Sequence, residues 1–301
     1  MTDEKTQQPL GVASRLNAEL GMSKKIVVSF SGGRTSAYLC SLIKELHPGA
    51  VFVFMDTGAE HESTYEFIKQ VNDYFDLNLI CLRTVVSDKW KEGVSYRVVG
   101  INEIGDDLQP WRDMCAKYGT PYIHGAFCTD RMKTTPFKKY ADDTFGRNNY
   151  TTILGIRVDE PKRLRARDGF SYLADISDFE KQDVLDWWAK MPFDLQIPEH
   201  LGNCVFCIKK GINKIALAAK DEPQLADKFI KMINSDDVRI VETRKEPSNT
   251  MYRQRMSLES IIDLYAEMPR DKLIKTLRST FETGSCSESC EAFAEQMDLA
   301  L

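Results

Sequence analysis

The fold is decided by the stretch Ile26-Val27-Val28-Ser29-Phe30-Ser31-Gly32-Gly33-Arg34-Thr35-Ser36-Ala37-Tyr38-Leu39. Its β-branched and aromatic beginning predicts a strand that is buried on both faces. Gly32 and Gly33 let the backbone approach an anion without obstruction by a Cβ atom. A helix that begins near Thr35 would direct free N–H groups and its positive dipole end at that anion. The stretch therefore predicts a strand, a phosphate-binding turn and a helix; a plain connecting turn is the alternative.

This turn, the 31–36 loop, matches neither of the two commonest glycine-rich nucleotide motifs. The P-loop requires G-x-x-x-x-G-K-[ST] and the dinucleotide fingerprint requires G-x-G-x-x-G. Ser31, Thr35 and Ser36 add hydroxyl groups to the loop. Because the local pattern is compatible with both interpretations, the rest of the chain has to decide between them.

The composition indicates a globular protein. With 301 residues, of which 43% are apolar, the chain can form one α/β domain of about 200 residues and a smaller appendage. No apolar run approaches the roughly 18 residues of a membrane helix, and the N-terminus lacks the features of a signal peptide. We therefore expect a cytoplasmic protein without membrane contact. The formal charge of −5 gives no overall basic footprint for general nucleic-acid binding.

Alternating strand and helix patterns follow the 31–36 loop. Helices are predicted over 37–46 and 63–75, and strands over 50–55 and 77–82. Such a series is typical of a doubly wound, mostly parallel α/β sheet, in which ligands bind at the carboxyl ends of the strands. Both the 31–36 loop and the sequence Asp56-Thr57-Gly58 fall at that edge.

The remainder of the chain divides into three parts. Residues 84–125 show little periodicity and predict an irregular insertion that covers the site. A helix after Thr134, a strand over 150–157 and a helix over 178–188 follow, and beyond Cys207 the pattern is helical over 212–219, 224–233 and 258–268. The predicted organisation is an N-terminal arm (1–22), an α/β domain (23–210) and a small α-helical C-terminal extension (211–301).

Five segments resemble the phosphoadenosine phosphosulfate reductase family of PP-loop enzymes, whose sheet is of HUP-like type. They are Ser31-Gly32-Gly33-x-x-Ser36, Asp56-Thr57-Gly58 with the following Glu62-Ser63-Thr64-Tyr65, the segment from Cys128 to Phe137, the strand from Ile153 to Glu160, and the stretch from Asp183 to Cys207. They occur in the family's order over roughly residues 24–210.

The resemblance implies a bound adenine nucleotide, ATP or a related compound. Its phosphates would lie on Ser29, Ser31, Gly32, Gly33, Arg34, Thr35 and Ser36, and its adenosine near Asp56, Thr57 and Gly58. Arg157 would face the substrate, and with Lys133 and Arg131 it could form a catalytic cationic wall, since guanidinium groups suit sulfate, phosphate and pyrophosphate. Arg163 and Arg165 are further candidates for that wall. The alternative for each arginine is an ordinary solvated side chain.

One departure from the family bears on the reaction. Many PP-loop enzymes that cleave ATP carry an aspartate before the last serine of the loop, where this chain has Thr35. A carboxylate that could hold Mg²⁺ is therefore missing, although Asp56 could replace it.

The cysteines indicate a metal site. In a reducing compartment, eight cysteines are typical of free thiols, metal ligands or catalytic groups. Cys204-x-x-Cys207 alone fits zinc, an iron–sulfur cluster or a redox pair. With Cys128, the resemblance implies a four-iron four-sulfur (4Fe-4S) cluster, but Phe127 stands where the family's second cysteine of the first pair would be. Candidates for the fourth ligand are Cys115, which we prefer, Cys286 and Cys290.

Other interpretations of the thiols stay open. Structural zinc is one, since His124 or His200 could complete a Cys3His site. Unligated buried thiols are another. Cys40 on the first helix and Cys81 in an apolar segment are predicted to be core residues.

Three functions fit these patterns. The first is a PP-loop ATP pyrophosphatase of sulfurtransferase type, which adenylates a substrate and transfers sulfur with the help of the cluster. The second is a sulfonucleotide reductase that releases sulfite by attack of a C-terminal cysteine, although Cys286 and Cys290 lack the family's Glu-Cys-Gly-x-His context. The third is a non-catalytic nucleotide-binding module with structural zinc. Candidate partners are a sulfur-donor protein, a nucleic-acid acceptor and a second copy of the chain.

Overall fold

A six-stranded sheet organises the chain in the computed structural model, which describes residues 24–89, 91–122, 126–242, 252–253 and 255–279. The strands are β1 (Lys25–Phe30), β2 (Val51–Met55), β3 (Ile80–Val86), β4 (Val94–Val99), β5 (Tyr150–Leu154) and β6 (Phe170–Tyr172). Their order is β4-β3-β2-β1-β5-β6, and every neighbouring pair is parallel except β3 and β4. The predicted mostly parallel α/β fold is confirmed.

The α-helices of the described residues follow the strands in the expected alternation and continue beyond them. They are α1 (Arg34–Leu46), α2 (Glu62–Tyr74), α3 (Gln109–Tyr118), α4 (Thr135–Phe145), α5 (Lys181–Trp188), α6 (Ile212–Asp221), α7 (Pro223–Ile233), α8 (Leu258–Leu264) and α9 (Arg270–Ser279). A π-helix, Cys128–Thr134, leads directly into α4. None of the helices in these residues is long and apolar enough to cross a membrane.

Successive residues of β1 pack into different cores on the two faces of the sheet. Val28 joins the core beneath α1, α2 and α5, whereas Val27 joins the core beneath α4. Both side chains have 0% exposure. Since side chains of a strand alternate between faces, a sheet covered on both sides requires the continuous apolar run that the sequence has here.

A third core holds the C-terminal helices. It joins Trp111 of α3 and Phe206 to Phe229 of α7, Tyr252 and Leu273 of α9. Described residues on both sides of position 210 therefore share one apolar interior. The division of the chain at 210 stays a prediction.

Residues 84–125 are more regular than the sequence predicts. They contain the last residues of β3, the antiparallel edge strand β4 and the helix α3, so the prediction of an irregular insertion is wrong. β4 alternates poorly because it lies at the sheet edge, and α3 begins after Leu108 without a side-chain cap. The predicted N-terminal arm (1–22) lies outside the described residues.

Candidate functional site

The 31–36 loop is closed on itself at the carboxyl end of β1. Ser36 Oγ accepts a hydrogen bond from Ser31 N at 3.1 Å, lies 2.8 Å from Ser31 Oγ and donates to Gly33 O at 3.0 Å. Gly32 has a φ of +82°, and a Cβ atom there would lie 2.9 Å from Ile68 Cδ1 of α2. The loop therefore needs glycine at this position for both its backbone conformation and its packing.

Helix α1 starts directly from this loop. Its N-cap is Gly33, which offers no side-chain hydrogen bond, and its first turn contains no acidic residue. A helix start without a side-chain cap leaves backbone N–H groups for a ligand, and the helix dipole favours an anion there.

A cavity of about 90 Å³ lies beside the loop; we call it the loop cavity. The lining residues are Ser31, Gly32, Gly33, Arg34, Thr64, Leu195, Ile197, Pro198, Glu199, Gly202 and Asn203. The segment before Cys204 forms the opposite wall, a position that was not predicted from the sequence. Nothing in the local sequence of 195–203 indicates this, because the wall is positioned by long-range packing.

Arg34, a predicted phosphate ligand, has its guanidinium on that wall. Its Nε and Nη2 atoms donate to the carboxylate of Asp194 at 2.6 and 2.9 Å, and Nη2 also donates to Leu195 O. Trp188 Nε1 donates to Arg34 O at 2.9 Å. In this arrangement Arg34 fastens the 194–195 segment to the loop.

The structure brings Arg157 next to the loop, as expected for a residue that follows β5. β5 is the parallel neighbour of β1, so the carboxyl ends of the two strands meet. Arg157 is buried, and its Nη1 donates to Thr35 Oγ1 at 3.0 Å while its Nε donates to Asp159 Oδ1 at 2.8 Å. Arg163 pairs with Glu160, whereas Arg165 lines a separate open cavity.

Asp56 anchors a fully buried polar network at the end of β2. Its Oδ2 accepts from Arg83 Nε at 2.6 Å, and its Oδ1 accepts from Gly58 N at 2.9 Å and from the Tyr65 hydroxyl at 3.0 Å. Burial, and next the negative charge of Glu60, raise the pKa of Asp56 to about 6. Both carboxylate oxygens already accept hydrogen bonds, so Mg²⁺ would compete with these partners for Asp56.

Gly58 is enclosed by the segment that leads into α3. Its φ is +72°, and a Cβ atom there would lie 2.9 Å from Asp107 Oδ1 and 3.0 Å from Pro110 Cδ. Leu108 N also donates to Gly58 O at 3.0 Å. This part of 84–125 does pack over the predicted adenosine-binding residues.

Glu60, which is not among the site residues predicted from the sequence, connects this network to the cysteines. Its carboxylate accepts from the hydroxyls of Thr57, at 2.8 and 2.9 Å, and Tyr65, at 3.1 Å, and it lies 3.8 Å from Lys133 Nζ. Cys204 Sγ is 3.7 Å from Glu60 Oε1. The position of Glu60 shortly after the Asp-Thr-Gly sequence is the one sequence feature that points to it. Sequence alone does not distinguish this buried glutamate from the exposed Glu62.

The two basic residues of the π-helix point to different places. Lys133 is buried beside Glu60. The guanidinium carbon of Arg131 lies 4.1 Å from the centre of the Tyr118 ring, a cation–π contact. Arg131 lines a second cavity, of about 490 Å³, that shares no lining residue with the loop cavity. The structure therefore does not bring Arg131 to the loop.

The four predicted metal ligands converge on one buried tyrosine; we call Cys115, Cys128, Cys204 and Cys207 the cysteine group. Cys115 and Cys204 belong to the third core together with Tyr252, whose hydroxyl donates to Phe206 O, and the partly buried Cys128 and Cys207 pack against that core. Burial raises the pKa of Tyr252 well above its usual value, and the nearby thiols of all four cysteines add to the increase. Val205 N donates a backbone hydrogen bond to Ala59 O at 3.1 Å, which connects this region to the end of β2.

The chemistry of the cysteine group suits a thiophilic metal. No disulfide joins the six cysteines among the described residues, and four thiolates are the donor set of 4Fe-4S clusters and of structural zinc. Burial raises the pKa of Cys115 to about 12, so its thiol needs a bound cation to lose its proton near neutral pH. Within the described ranges, no three His, Cys, Asp or Glu side chains are already grouped closely enough to hold a metal ion.

The other candidate ligands are placed elsewhere or lie outside the described residues. His200 Nε2 is 2.8 Å from Asp221 Oδ2. Cys40 and Cys81 are buried in the core beneath α1 and α2, as predicted. His124, Cys286 and Cys290 fall outside the described residues.

A glycine loop at the first strand, a helix start aimed at it and an arginine from the neighbouring strand define an α/β protein of the PP-loop class. Residues 25–180, more than half of the chain, match the phosphoadenosine phosphosulfate reductase domain family. The chain belongs to that family.

Relatives and solved structures were also found. The chain is 50% identical over 284 residues to a protein of Escherichia phage lambda named uncharacterized nin region protein ORF290, covering 90% of this chain and 96% of that protein. A phosphoadenylyl-sulfate reductase structure from Candida auris, a phosphate complex, is similar with a TM-score of 0.40 at 12% identity, over 61% of this chain and 81% of that one. An NH3-dependent NAD synthetase structure from Campylobacter jejuni is similar with a TM-score of 0.38 at 15% identity, over 78% of this chain and 94% of that one. At these TM-scores neither structural likeness carries an argument.

Proposed function

We propose that the chain is an enzyme that binds ATP or a related adenine nucleotide on the 31–36 loop and adenylates a substrate for sulfur transfer. Membership of the family supports nucleotide binding. The observation that carries the proposal is the contact of Arg157 with Thr35, because it puts a buried cation against a loop that ends in an uncapped helix start.

Catalysis would be mainly electrostatic. The backbone N–H groups of Gly32 and Gly33 and the hydroxyl of Ser31 would hold the phosphates. A nucleophilic atom of the substrate attacks the α-phosphorus, the bond from that phosphorus to the bridging oxygen breaks, and pyrophosphate leaves with the bond's electron pair. Arg157 and Lys133 would offset the charge that develops on the leaving group. Arg157 would exchange part of its contact with Asp159 for the phosphate.

The cysteine group would hold the metal. A 4Fe-4S cluster bound by Cys128, Cys204 and Cys207 would keep one iron open to take sulfur, whereas zinc bound by all four cysteines would be structural. The chain's own contribution is to bury Cys115 and Cys204 and to place the Cys204 thiol 3.6 Å from Thr57 Oγ1, at the edge of the predicted adenosine site.

The test is a turnover assay on protein purified without oxygen, with labelled ATP and a panel of sulfur acceptors. Pyrophosphate release is expected from the wild type, and Arg157→Gln should lower it about 100- to 1,000-fold. The matched control is Arg147→Gln, which removes an exposed guanidinium beside Asp142 and should leave turnover unchanged. Nucleotide binding without any pyrophosphate release would favour the non-catalytic module instead.

The family match also supports a second candidate, a sulfonucleotide reductase. In that reaction a thiolate attacks the sulfur of an adenylylated sulfate, the sulfur–oxygen bond to the nucleotide breaks, and a second thiol releases sulfite from the resulting thiosulfonate. Sulfite release in the same assay, lost when Cys286 and Cys290 are both replaced by serine, would favour this function over adenylation.

A further inference from the structure

Thr64 lines the loop cavity and has a buried hydroxyl without a hydrogen-bond partner among the described residues. The residue lies in the first turn of α2 and is 3% exposed. Its Oγ1 is one of five buried side-chain polar atoms in the described part of the chain with no hydrogen-bond partner: His47 Nε2, Thr64 Oγ1, Trp111 Nε1, Thr134 Oγ1 and Arg253 Nε. Of these five residues, only Thr64 lines the loop cavity.

A buried hydroxyl in this state is costly. Leaving such a group without a hydrogen bond is unfavourable, so native proteins pair most of them. A ligand in the cavity would remove that cost by accepting the hydrogen bond. The orphaned hydroxyl therefore indicates that the cavity is shaped for an occupant with an acceptor atom at this point.

The neighbours of Thr64 identify the chemistry of the occupant. A Cβ atom at Gly32 would lie 3.2 Å from Thr64 Cγ2, so the side chain packs directly over the glycine of the 31–36 loop. The hydroxyls and backbone N–H groups around it are donors suited to phosphate oxygens. Glu199, the carboxylate on the opposite wall, is held by Lys214 at 3.1 Å and Lys181 at 3.9 Å, which reduces its repulsion of an anion.

We propose that the Thr64 hydroxyl donates a hydrogen bond to a phosphate oxygen of the bound nucleotide, so that α2 supplies a second wall to the phosphate site. This inference rests on the proposed nucleotide-binding function. It adds a ligand from outside the 31–36 loop and makes the site a clamp between the starts of α1 and α2. Nucleotide binding would thereby satisfy a polar group that the free protein leaves unpaired.

The experiment is a calorimetric titration of Thr64→Val and Thr64→Ser with ATP and with inorganic pyrophosphate. Valine keeps the shape and removes the hydroxyl, whereas serine keeps the hydroxyl. Valine should weaken both ligands at least tenfold, and serine should stay within about threefold of the wild type. Thr134→Val is the matched control, because it removes another orphaned buried hydroxyl that does not line the loop cavity, and it should leave both affinities unchanged.

Thermal unfolding without nucleotide separates ligand binding from a structural role. Thr64→Val should melt at the wild-type temperature or above it, since a methyl group replaces an unpaired hydroxyl. A lower melting temperature that serine restores would overturn the inference, and so would wild-type ATP or pyrophosphate affinity in the valine variant. If the wild type itself binds neither probe, the proposed function fails and the inference fails with it; if the wild type binds and valine changes nothing, only the inference about Thr64 fails.

Discussion

Two buried regions meet at Glu60, and they are built in opposite ways. On one side, at the end of β2, lies the polar network of Asp56, Arg83 and Tyr65, which is paired by hydrogen bonds of 2.6–3.1 Å. On the other side, the cysteine group lies in an apolar core around Tyr252. Within the described residues, the first region leaves none of its buried side-chain polar atoms without a hydrogen-bond partner. The second consists of cysteines, and burial raises the pKa of one of them, Cys115, which opposes the ionised form that metals bind.

This difference indicates where each region obtains its stability. Buried charges are stabilised by their partners, so the stability of the Asp56 network depends on hydrogen bonds and ion pairs. The cysteine side depends on apolar packing and, if the proposed metal is present, on metal coordination. Substitutions and pH should therefore affect the two regions differently.

The largest expected effect is on metal content. Cys204→Ala should abolish the metal bound to protein purified without oxygen, because it removes a central member of the cysteine group. Cys40→Ala, which removes a buried thiol from a different core, should retain it. Metal analysis and absorbance near 400 nm are the measurements, and equal metal content in the two variants would contradict a site at the cysteine group.

The next effect concerns the residue that joins the regions. Glu60→Gln should lower the free energy of unfolding by about 3–5 kcal/mol, because Lys133 stays buried while it loses the charge of Glu60. The control is Glu66→Gln at an exposed position of α2, the helix that follows Glu60, where a change below about 0.5 kcal/mol is expected. Chemical denaturation measures both, and equal stabilities would show that Glu60 does not connect the regions energetically.

The third effect is a dependence of stability on pH. The pKa of Asp56 is raised from 3.8 to about 6 in the folded protein, so the folded state binds more protons than the unfolded state between these values. Its contribution to stability is complete below pH 3.8 and is lost as the pH rises through 6, a difference of about 3 kcal/mol. Asp56→Asn should remove this slope from denaturation curves at pH 4–7, and Asp73→Asn at an exposed position should keep it.

The smallest effect is expected at the wall of the loop cavity. Arg34→Gln removes the pair with Asp194, whose side chain is about a quarter exposed, and should cost about 1 kcal/mol of stability. If Arg34 also fastens the 194–195 segment against the loop, ATP affinity should fall a few-fold as well. Arg147→Gln, which removes an exposed guanidinium, is the control for stability. An unchanged ATP affinity in Arg34→Gln would show that contacts other than those of Arg34 hold the wall.

Much of the region around the 31–36 loop could be predicted from the sequence because its parts are contiguous in the chain. The apolar run 26–30, the glycines at 32 and 33 and the helix that follows are contiguous, so their conformation depends on neighbours in the chain. Arg157 could be predicted as well, because parallel pairing brings the end of β5 beside the end of β1. Glu60 and Thr64 could not, since a glutamate or threonine near a helix start is usually exposed and only packing against distant segments buries it.

For this protein, the sequence by itself determined the α/β class, the alternation of strands and helices along the chain, and the position of the 31–36 loop. Hydrophobic periodicity and glycine conformation act over a few residues, so neighbours in the chain are enough to set these features. Only the tertiary structure decided that Arg34 turns to Asp194, that Arg131 lies on Tyr118, and that four cysteines from three segments gather at Tyr252. The physical reason is that these contacts join residues far apart in the chain. Their partners are selected by the packing of whole helices and loops.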